Sequence, residues 1–257
     1  MTSLSVNGLS FSYGARRIFD QVDIDAVDPG KLTALIGPNA SGKSTLFKLI
    51  SGLLKPSEGR IGLGNMDAAT LSTQARLSRI RFMPQFFAAN AALTVFDVVM
   101  MAQKQLRGWR VSSTDMDAVG KALHEGGIGH LSEAYVGELS GGQSQMVSVV
   151  QALIRPADVY LFDEPTSALD LHHQLAVLGQ VRRAVTQRNA VGIVALHDLN
   201  LAARYADHLI LLGDGKVLAE GAPSAVLSDT ALAETYGVEI AIGQGPRREI
   251  CVHAYAS

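Results

Sequence analysis

The chain has 257 residues, of which 47% are apolar, so it is long and apolar enough to form a globular core. Its 22 basic and 24 acidic residues nearly cancel, which gives no electrostatic indication of a nucleic-acid or anionic-lipid partner. The single cysteine, Cys251, excludes an internal disulfide and fits a reducing compartment. No apolar run approaches the roughly 18 residues of a membrane-spanning helix, so we expect any membrane role to pass through a partner.

The first predicted elements are strands. Residues 1 to about 28 are typical of short strands with turns. Continuous apolar runs at 32–37 (LTALIG), 159–164 (VYLFDE) and 191–197 (VGIVALH) suit strands buried on both faces, and each is followed by a helical pattern. This alternation predicts a mostly parallel α/β sheet, at whose carboxyl edge phosphate chemistry belongs.

The remaining stretches predict helices and a hairpin. Residues from about 86 to 155 have helical spacing without clear strands, which indicates an inserted helical subdomain. Two apolar runs flank Asp214-Gly215, the dipeptide most typical of a tight hairpin. The alternation in residues 247–257 predicts one more edge strand.

A glycine-rich loop follows the first buried strand. Residues 37–45 (GPNASGKST) fit the pattern G-x-x-x-x-G-K-[S/T], between a predicted strand and a predicted helix. In such a loop the backbone N–H groups point inward, Lys43 reaches the β and γ phosphates, and Ser44 offers its hydroxyl to Mg²⁺. The sequence therefore predicts a nucleotide phosphate site, with an ordinary glycine turn as the alternative.

Polar residues follow the other predicted strands. Asp163 could hold the water shell of a metal ion, and Glu164 could orient an attacking water; as an alternative, the pair could cap a helix. His197 ends its strand within reach of a γ phosphate, or is a structural histidine. Gln85 could touch both Mg²⁺ and water, or be a plain loop residue, and spacing alone does not decide.

A second candidate anion site lies at 139–143 (LSGGQ), which opens a long apolar helix. The first N–H groups of a helix lack internal partners and lie at its positive end, so they suit an anion. The chain already has a phosphate site, so the motif alone leaves open which phosphate the second site would bind. A simple Ser/Gly helix cap is the alternative.

Taken together, these motifs resemble the nucleotide-binding subunit of ATP-binding cassette (ABC) transporters, through about residue 240. The resemblance implies a single domain with an α/β P-loop NTPase fold: a mostly parallel core sheet, an N-terminal antiparallel β subdomain and an inserted helical subdomain. The core would comprise about 1–85 and 156–240, the helical subdomain 86–155 and the tail 241–257. In this family the LSGGQ motif (139–143) is called the signature, and the helix that it opens is the signature helix. Two subunits dimerise head to tail, and the signature helix of one covers the γ phosphate bound by the other.

The resemblance also implies roles for individual residues. Tyr13 would stack on adenine, Glu164 would be the general base, and His197 would sense the γ phosphate, with Lys43 and Gln85 completing the catalytic set. ATP would be bound by Tyr13, Gly37, Pro38, Asn39, Ala40, Ser41, Gly42, Lys43, Ser44 and Thr45, and by Ser140, Gly141, Gly142 and Gln143 of the partner subunit. Mg²⁺ would be held by Ser44, Gln85 and Asp163, and the dimer interface would be lined by Ala168, Leu169 and Asp170.

One departure from the family pattern follows the signature. Ser144, Met146 and Gln151 stand where the family often has basic residues. The local charge is therefore less positive, which we expect to affect the hydrolysis rate or coupling more than nucleotide binding.

The second half of the chain indicates a branch of the family. Residues 170–178 and 197–223 are similar to ATPases that energise uptake of iron-siderophore complexes, haem and vitamin B12. That branch implies a membrane permease, an extracytoplasmic solute-binding protein and a place on the cytoplasmic face of the cell membrane. The alternatives are an importer of another small solute and a clamp acting on nucleic acid, although the chain has one set of motifs and no heptad run.

A surface for the permease is a further hypothesis. Methionine and aromatic residues suit a groove that receives a helix, and core packing is the alternative. The candidate groove residues are Phe86, Phe87, Val95, Met100 and Met101. The loop 106–110 (LRGWR) is either a solvated loop or a permease contact.

Overall fold

The computed structural model describes residues 2–85, 92–104 and 110–256. The strands are β1 (Leu4–Tyr13), β2 (Arg16–Val27), β3 (Leu32–Ile36), β4 (Glu58–Leu63), β5 (Met66–Asp67), β6 (Ile80–Met83), β7 (Val159–Asp163), β8 (Val191–Ala195), β9 (His208–Gly213), β10 (Lys216–Gly221), β11 (Val238–Gln244) and β12 (Ile250–Ala256). The helices are α1 (Lys43–Ser51), α2 (Thr73–Arg79), α3 (Val95–Lys104), α4 (Ser113–Glu125), α5 (Gly141–Leu153), α6 (Leu171–Arg188), α7 (Leu199–Tyr205), α8 (Pro223–Leu227) and α9 (Thr230–Tyr236).

The central sheet has the order β10-β9-β3-β8-β7-β6. All its pairings are parallel except that of β9 with β10. Every residue of β3, β7 and β8 is buried, as the continuous apolar runs predicted. The carboxyl ends of these strands therefore lie side by side at one edge, and the predicted mostly parallel α/β sheet is confirmed.

The second sheet is antiparallel, with the order β2-β1-β4-β5. Its first two strands have ten and twelve residues, so the expectation of several short strands here was wrong. The register between β1 and β2 shifts at four places along the pair. Each shift interrupts the alternation of apolar and polar residues, so one long strand has the sequence pattern of several short ones.

The predicted hairpin between β9 and β10 is confirmed. Asp214 and Gly215 both have positive φ, 47° and 71°, as the tightest hairpin turns require. The predicted strand in the tail is also confirmed, because β12 pairs with β11 in a separate two-stranded ribbon.

Helices α3, α4 and α5 share an apolar cluster of their own. Val95 is fully buried within it and Met100 is 8% exposed, so for these two residues core packing is the correct alternative. Met101 is half exposed, whereas Phe86, Phe87 and residues 106–109 of the candidate permease surface lie outside the described residues. Within the described ranges, no helix combines the length and the apolarity needed to cross a bilayer.

The start of α4 provides a test of stability against pH. Oδ2 of Asp115 accepts hydrogen bonds from the Ser112 N–H (3.0 Å) and hydroxyl (2.7 Å) and from Lys104 Nζ (3.0 Å). The bonds from Ser112, then that from Lys104, hold the pKa of Asp115 well below its ordinary value. A lowered pKa gives stability that is present above the unfolded pKa of about 3.9 and is lost as the pH falls towards the folded pKa.

We therefore expect Asp115→Asn to lower the urea midpoint of unfolding at neutral pH and to lower it less at about pH 3. The matched control is Asp117→Asn, an exposed carboxylate on the same helix. Equal losses at both pH values would show that the charge of Asp115 does not stabilise the helix.

Candidate active site

The glycine-rich loop connects the end of β3 to the start of α1, and two of its glycines are fixed by sterics. Gly37 has φ +147°, and a Cβ there would lie 2.1 Å from the carbonyl oxygen of Leu212. Gly42 has φ +103°, and a Cβ there would lie 2.7 Å from the Phe19 ring. The loop can therefore pass close to the neighbouring strand and turn into the helix only if both residues lack a side chain.

Lys43 points back along the loop. Its Nζ donates hydrogen bonds to the carbonyl oxygens of Gly37 (2.7 Å) and Pro38 (2.9 Å), and the residue is 5% exposed. Burial lowers the pKa of Lys43, and the negative charges of Glu164 and Asp163 oppose that shift. The arrangement holds a cation beside the loop, where the phosphates of a nucleotide would lie.

Asp163 ends β7 and is 2% exposed. Burial raises its pKa, while a hydrogen bond from the Ser44 hydroxyl opposes the shift. Among the described residues, no group forms a hydrogen bond to its Oδ1, although this atom is buried. A buried carboxylate oxygen beside a hydroxyl is a donor set that suits Mg²⁺, so these residues fit the predicted ion.

Glu164 follows Asp163 with a backbone φ of +52°, a conformation that is strained in a residue with a side chain. Its Oε2 accepts a hydrogen bond from Gln85 Nε2 (2.7 Å), and its Oε1 contacts His197 Nε2. The carbonyl oxygen of Glu164 accepts a hydrogen bond from Gln145 Nε2 (2.6 Å). The carboxylate thus has a fixed direction between two strand ends.

Neither acidic residue caps a helix. Helix α6 begins seven residues after Glu164 and is capped by Asp170, whose side chain accepts a hydrogen bond from the His173 N–H. The helix-cap alternative for Asp163 and Glu164 is therefore wrong.

His197 is placed two residues beyond the end of β8, and its side chain is 41% exposed.

A cavity of about 900 Å³ collects most of the predicted residues. Tyr13 lies at its rim, 46% exposed, with its ring edge-on to Phe11 at a centroid distance of 4.9 Å. The lining consists of Tyr13, Arg16, Ile18, Asn39, Ala40, Ser41, Gly42, Lys43, Ser44, Thr45, Gln85, Glu164 and His197. The structure thus brings together residues from five separate parts of the chain.

Sequence reasoning missed three residues of this site. Arg16 pairs with Tyr13 across the β1–β2 turn, so a cation just after the predicted aromatic was the available signal. Ile18 lies on the same strand and gave no signal. Gln145, 6% exposed on an apolar helix, could have been noticed as a polar residue among buried positions.

The LSGGQ motif lies at a second cavity, of about 700 Å³, which shares no lining residue with the first. Ser140 Oγ accepts a hydrogen bond from the Gln143 N–H (3.2 Å), and Gln143 Oε1 accepts one from the Ser140 N–H (2.9 Å). This reciprocal pair is a capping box, so the helix-cap interpretation is confirmed. The cavity is also lined by Gly141, Gly142, Ala168, Leu169, Asp170, His130 and His173.

The three residues that depart from the family pattern all contribute to local packing or hydrogen bonding. Gln151 Nε2 donates a hydrogen bond to the carbonyl oxygen of Val98 (3.0 Å) and so ties α5 to α3. Met146 packs against both the sheet cluster and the cluster of α3–α5. The carbonyl oxygen of Ser144 accepts a hydrogen bond from the Ser148 hydroxyl. Their effect on hydrolysis stays a prediction.

The glycine-rich loop lies between β3 and α1, and Asp163 and Glu164 lie at the carboxyl end of β7, a parallel strand separated from β3 by β8. This arrangement is that of a P-loop nucleoside triphosphatase. The ABC transporter family model matches residues 20–167, and the chain belongs to this family. It is an ATP-binding cassette and an ATPase.

Three comparisons illustrate the relationship. The achromobactin transport ATP-binding protein of Dickeya dadantii is 36% identical over 248 residues, covering 96% of this chain and 92% of the relative. The hemin import ATP-binding protein of Rhodopseudomonas palustris is 34% identical over 248 residues, covering 93% and 90%. A dimeric post-hydrolysis cassette solved with ADP and phosphate has a TM-score of 0.77 at 25% identity, covering 86% of this chain and 98% of that one.

Proposed function

We propose that the chain is the ATP-hydrolysing subunit of an importer that takes up an iron chelate, haem or cobalamin through a separate permease. The ATP-hydrolysis part of this proposal rests on one observation: the phosphate loop, Gln85, Glu164 and His197 meet at one cavity. Closure of an ATP-bound dimer would drive the permease, and hydrolysis would reset it.

At the reacting phosphate, Glu164 is the proposed general base. Gln85 and His197 each hold one of its carboxylate oxygens, so the carboxylate can face a water molecule in the cavity and accept its proton. Lys43 stabilises negative charge on the phosphates, and His197 responds to the γ phosphate. Ser44, Asp163 and Gln85 would hold Mg²⁺, which when bound neutralises charge on the β and γ phosphates.

The proposed dimer is head to tail. Ser140 to Gln143 lie at a cavity separate from the phosphate loop, so a second subunit is needed to bring a signature helix to a bound nucleotide. Residues 168–170 line the same second cavity and would belong to the interface. The related cassette solved with ADP and phosphate is a dimer, which supports dimerisation. The division into a sheet core and a helical subdomain around α3–α5 belongs to the same proposal.

The proposed cargo follows from the branch of the family. Two relatives are named for hemin import and achromobactin transport, and each aligns with more than nine-tenths of this chain. We infer a permease partner, an extracytoplasmic binding protein upstream of it and a location on the cytoplasmic face of the membrane. An importer of another small solute is the second candidate.

The experiment is uptake of radiolabelled ferric siderophores, haem and cobalamin by the native cells carrying either the wild-type chain or Glu164→Gln. We expect selective loss of one of these solutes in the variant. Gly120→Ala is the control, because a Cβ at Gly120 meets nothing within 4 Å. If uptake of all three solutes is unchanged while the purified variant still binds ATP, the ATPase role stands and the proposed solutes are rejected.

A further inference from the structure

The C-terminal segment contacts the phosphate loop directly. The N–H of Gly37, the first loop residue, donates a 2.9 Å hydrogen bond to the hydroxyl oxygen of Tyr236, which lies 199 residues further along the chain. Tyr236 is the last residue of α9, beyond the residues 20–167 that match the family model. The contact therefore joins the loop to a part of the chain that none of the motifs includes.

The hydrogen bond to Tyr236 is one of three contacts that restrict the backbone of Gly37. Its carbonyl oxygen accepts a hydrogen bond from Lys43 Nζ, and its Cα lies too close to Leu212 for any side chain. The residue is buried, so loss of the Tyr236 acceptor would leave a largely buried N–H group without a protein partner. Tyr236 thus holds one peptide group of Gly37, and Lys43 holds the other.

The helix that carries Tyr236 is itself held in place. Leu232, one turn earlier, is fully buried in the core cluster under the sheet. Asp229 caps the helix start with a hydrogen bond from the Ala231 N–H (2.9 Å). Burial raises the pKa of the Tyr236 hydroxyl, so the hydroxyl stays neutral and keeps its proton at physiological pH.

The ribbon that follows α9 is anchored to α7, the helix that follows His197. The side-chain amide of Asn200 exchanges two hydrogen bonds with the main chain of Val252: Nδ2 donates to its oxygen (3.2 Å), and Oδ1 accepts from its N–H (2.8 Å). Asn200 lies on α7, three residues after His197. The segment 230–256 therefore joins the phosphate loop at one end and the helix that follows His197 at the other.

We propose that Tyr236 is a positioning residue of the ATPase, whose hydroxyl sets the first peptide of the phosphate loop in its nucleotide-binding conformation. The proposal rests on the phosphate role assigned above to residues 37–45. It makes the C-terminal segment part of the nucleotide site, although no atom of Tyr236 needs to contact the nucleotide.

The test is Tyr236→Phe, which removes only the acceptor oxygen. We expect the affinity for ATP and for ADP to fall by the same factor, on the order of tenfold, because the loop binds the phosphates that both nucleotides share. The KM for ATP should rise accordingly while kcat at saturating ATP is retained, since the lost binding is common to ground and transition states. Calorimetric titration with ATP and ADP and steady-state phosphate release measure these quantities.

The matched control is Tyr160→Phe. The Tyr160 hydroxyl also accepts a backbone N–H bond, from Ala157 at 3.0 Å, but at the start of β7, away from the loop. This variant should unfold at a lower temperature yet keep wild-type nucleotide affinity. Wild-type affinity in Tyr236→Phe, or equal weakening in both variants, would overturn the positioning role.

A third variant separates the positioning role of Tyr236 from the phosphate-binding role of residues 37–45. Lys43→Ala should lose nucleotide affinity if residues 37–45 bind phosphate at all. If Lys43→Ala binds ATP normally, the phosphate site itself is misassigned. If Lys43→Ala fails to bind while Tyr236→Phe binds like wild type, only the role of Tyr236 is rejected.

Discussion

Replacing Glu164 by glutamine is expected to lower the rate of ATP hydrolysis by a factor on the order of 10² to 10⁴, with little change in ATP affinity. The substitution preserves size and leaves an amide oxygen that can still accept the hydrogen bond from Gln85 Nε2. It removes the negative charge and the basic lone pair that would take a proton from water. Single-turnover phosphate release and equilibrium binding of ATP measure the two effects separately.

The control for this variant is Glu125→Gln, an exposed carboxylate on α4 that pairs with Lys121. It should hydrolyse ATP like wild type, because a surface ion pair contributes little to the stability of the fold. A turnover in Glu164→Gln within a few-fold of wild type would assign the proton transfer to another group.

The same variant tests the proposed dimer. With hydrolysis blocked and ATP bound, two subunits should stay closed over their nucleotides, and light scattering should report a dimer. A monomer under these conditions would count against the head-to-tail assembly, even if hydrolysis is lost as expected.

The features that sequence predicts here are local ones. The phosphate site at residues 37–45 can be predicted from local spacing alone, because its pattern of glycines, lysine and serine comes directly after a strand and opens a helix. Glu164 and His197 come into contact for a related reason: parallel buried strands bring their carboxyl ends to one edge of the sheet. Identifying the strands was therefore enough to predict that residues 33 positions apart lie at the same edge of the sheet.

The features that sequence did not predict depend on contacts between distant segments. The hydrogen bond between Tyr236 and Gly37 arises only when α9 packs beneath the sheet, and a tyrosine in a short helix carries no sign of it. The shifts of register in β1 and β2 come from pairing between strands, not from either strand alone. For Ser140 and Gln143, the pattern suited both a helix cap and an anion site, and the capping hydrogen bonds establish only the first.

The second large effect is expected at Gly37. Gly37→Ala adds one methyl group, but its Cβ would lie 2.1 Å from the carbonyl oxygen of Leu212, a backbone atom of β9 that cannot rotate away. The φ of +147° adds strain of about 1–3 kcal/mol for a residue with a side chain. The loop or the strand must therefore shift, and either movement disturbs the Gly37 carbonyl that holds Lys43.

We expect Gly37→Ala to weaken ATP binding by about 10- to 100-fold, which corresponds to the strain released when the loop leaves its nucleotide-binding conformation. Gly120→Ala is the matched control, because its Cβ projects from α4 into open space and should stabilise the fold by about 0.5–1 kcal/mol. Titration with ATP well below both unfolding temperatures separates loss of the site from loss of the fold. Normal ATP affinity in Gly37→Ala would mean that the first peptide of the loop can move without cost to the phosphates, which would also remove the physical basis for a positioning role of Tyr236.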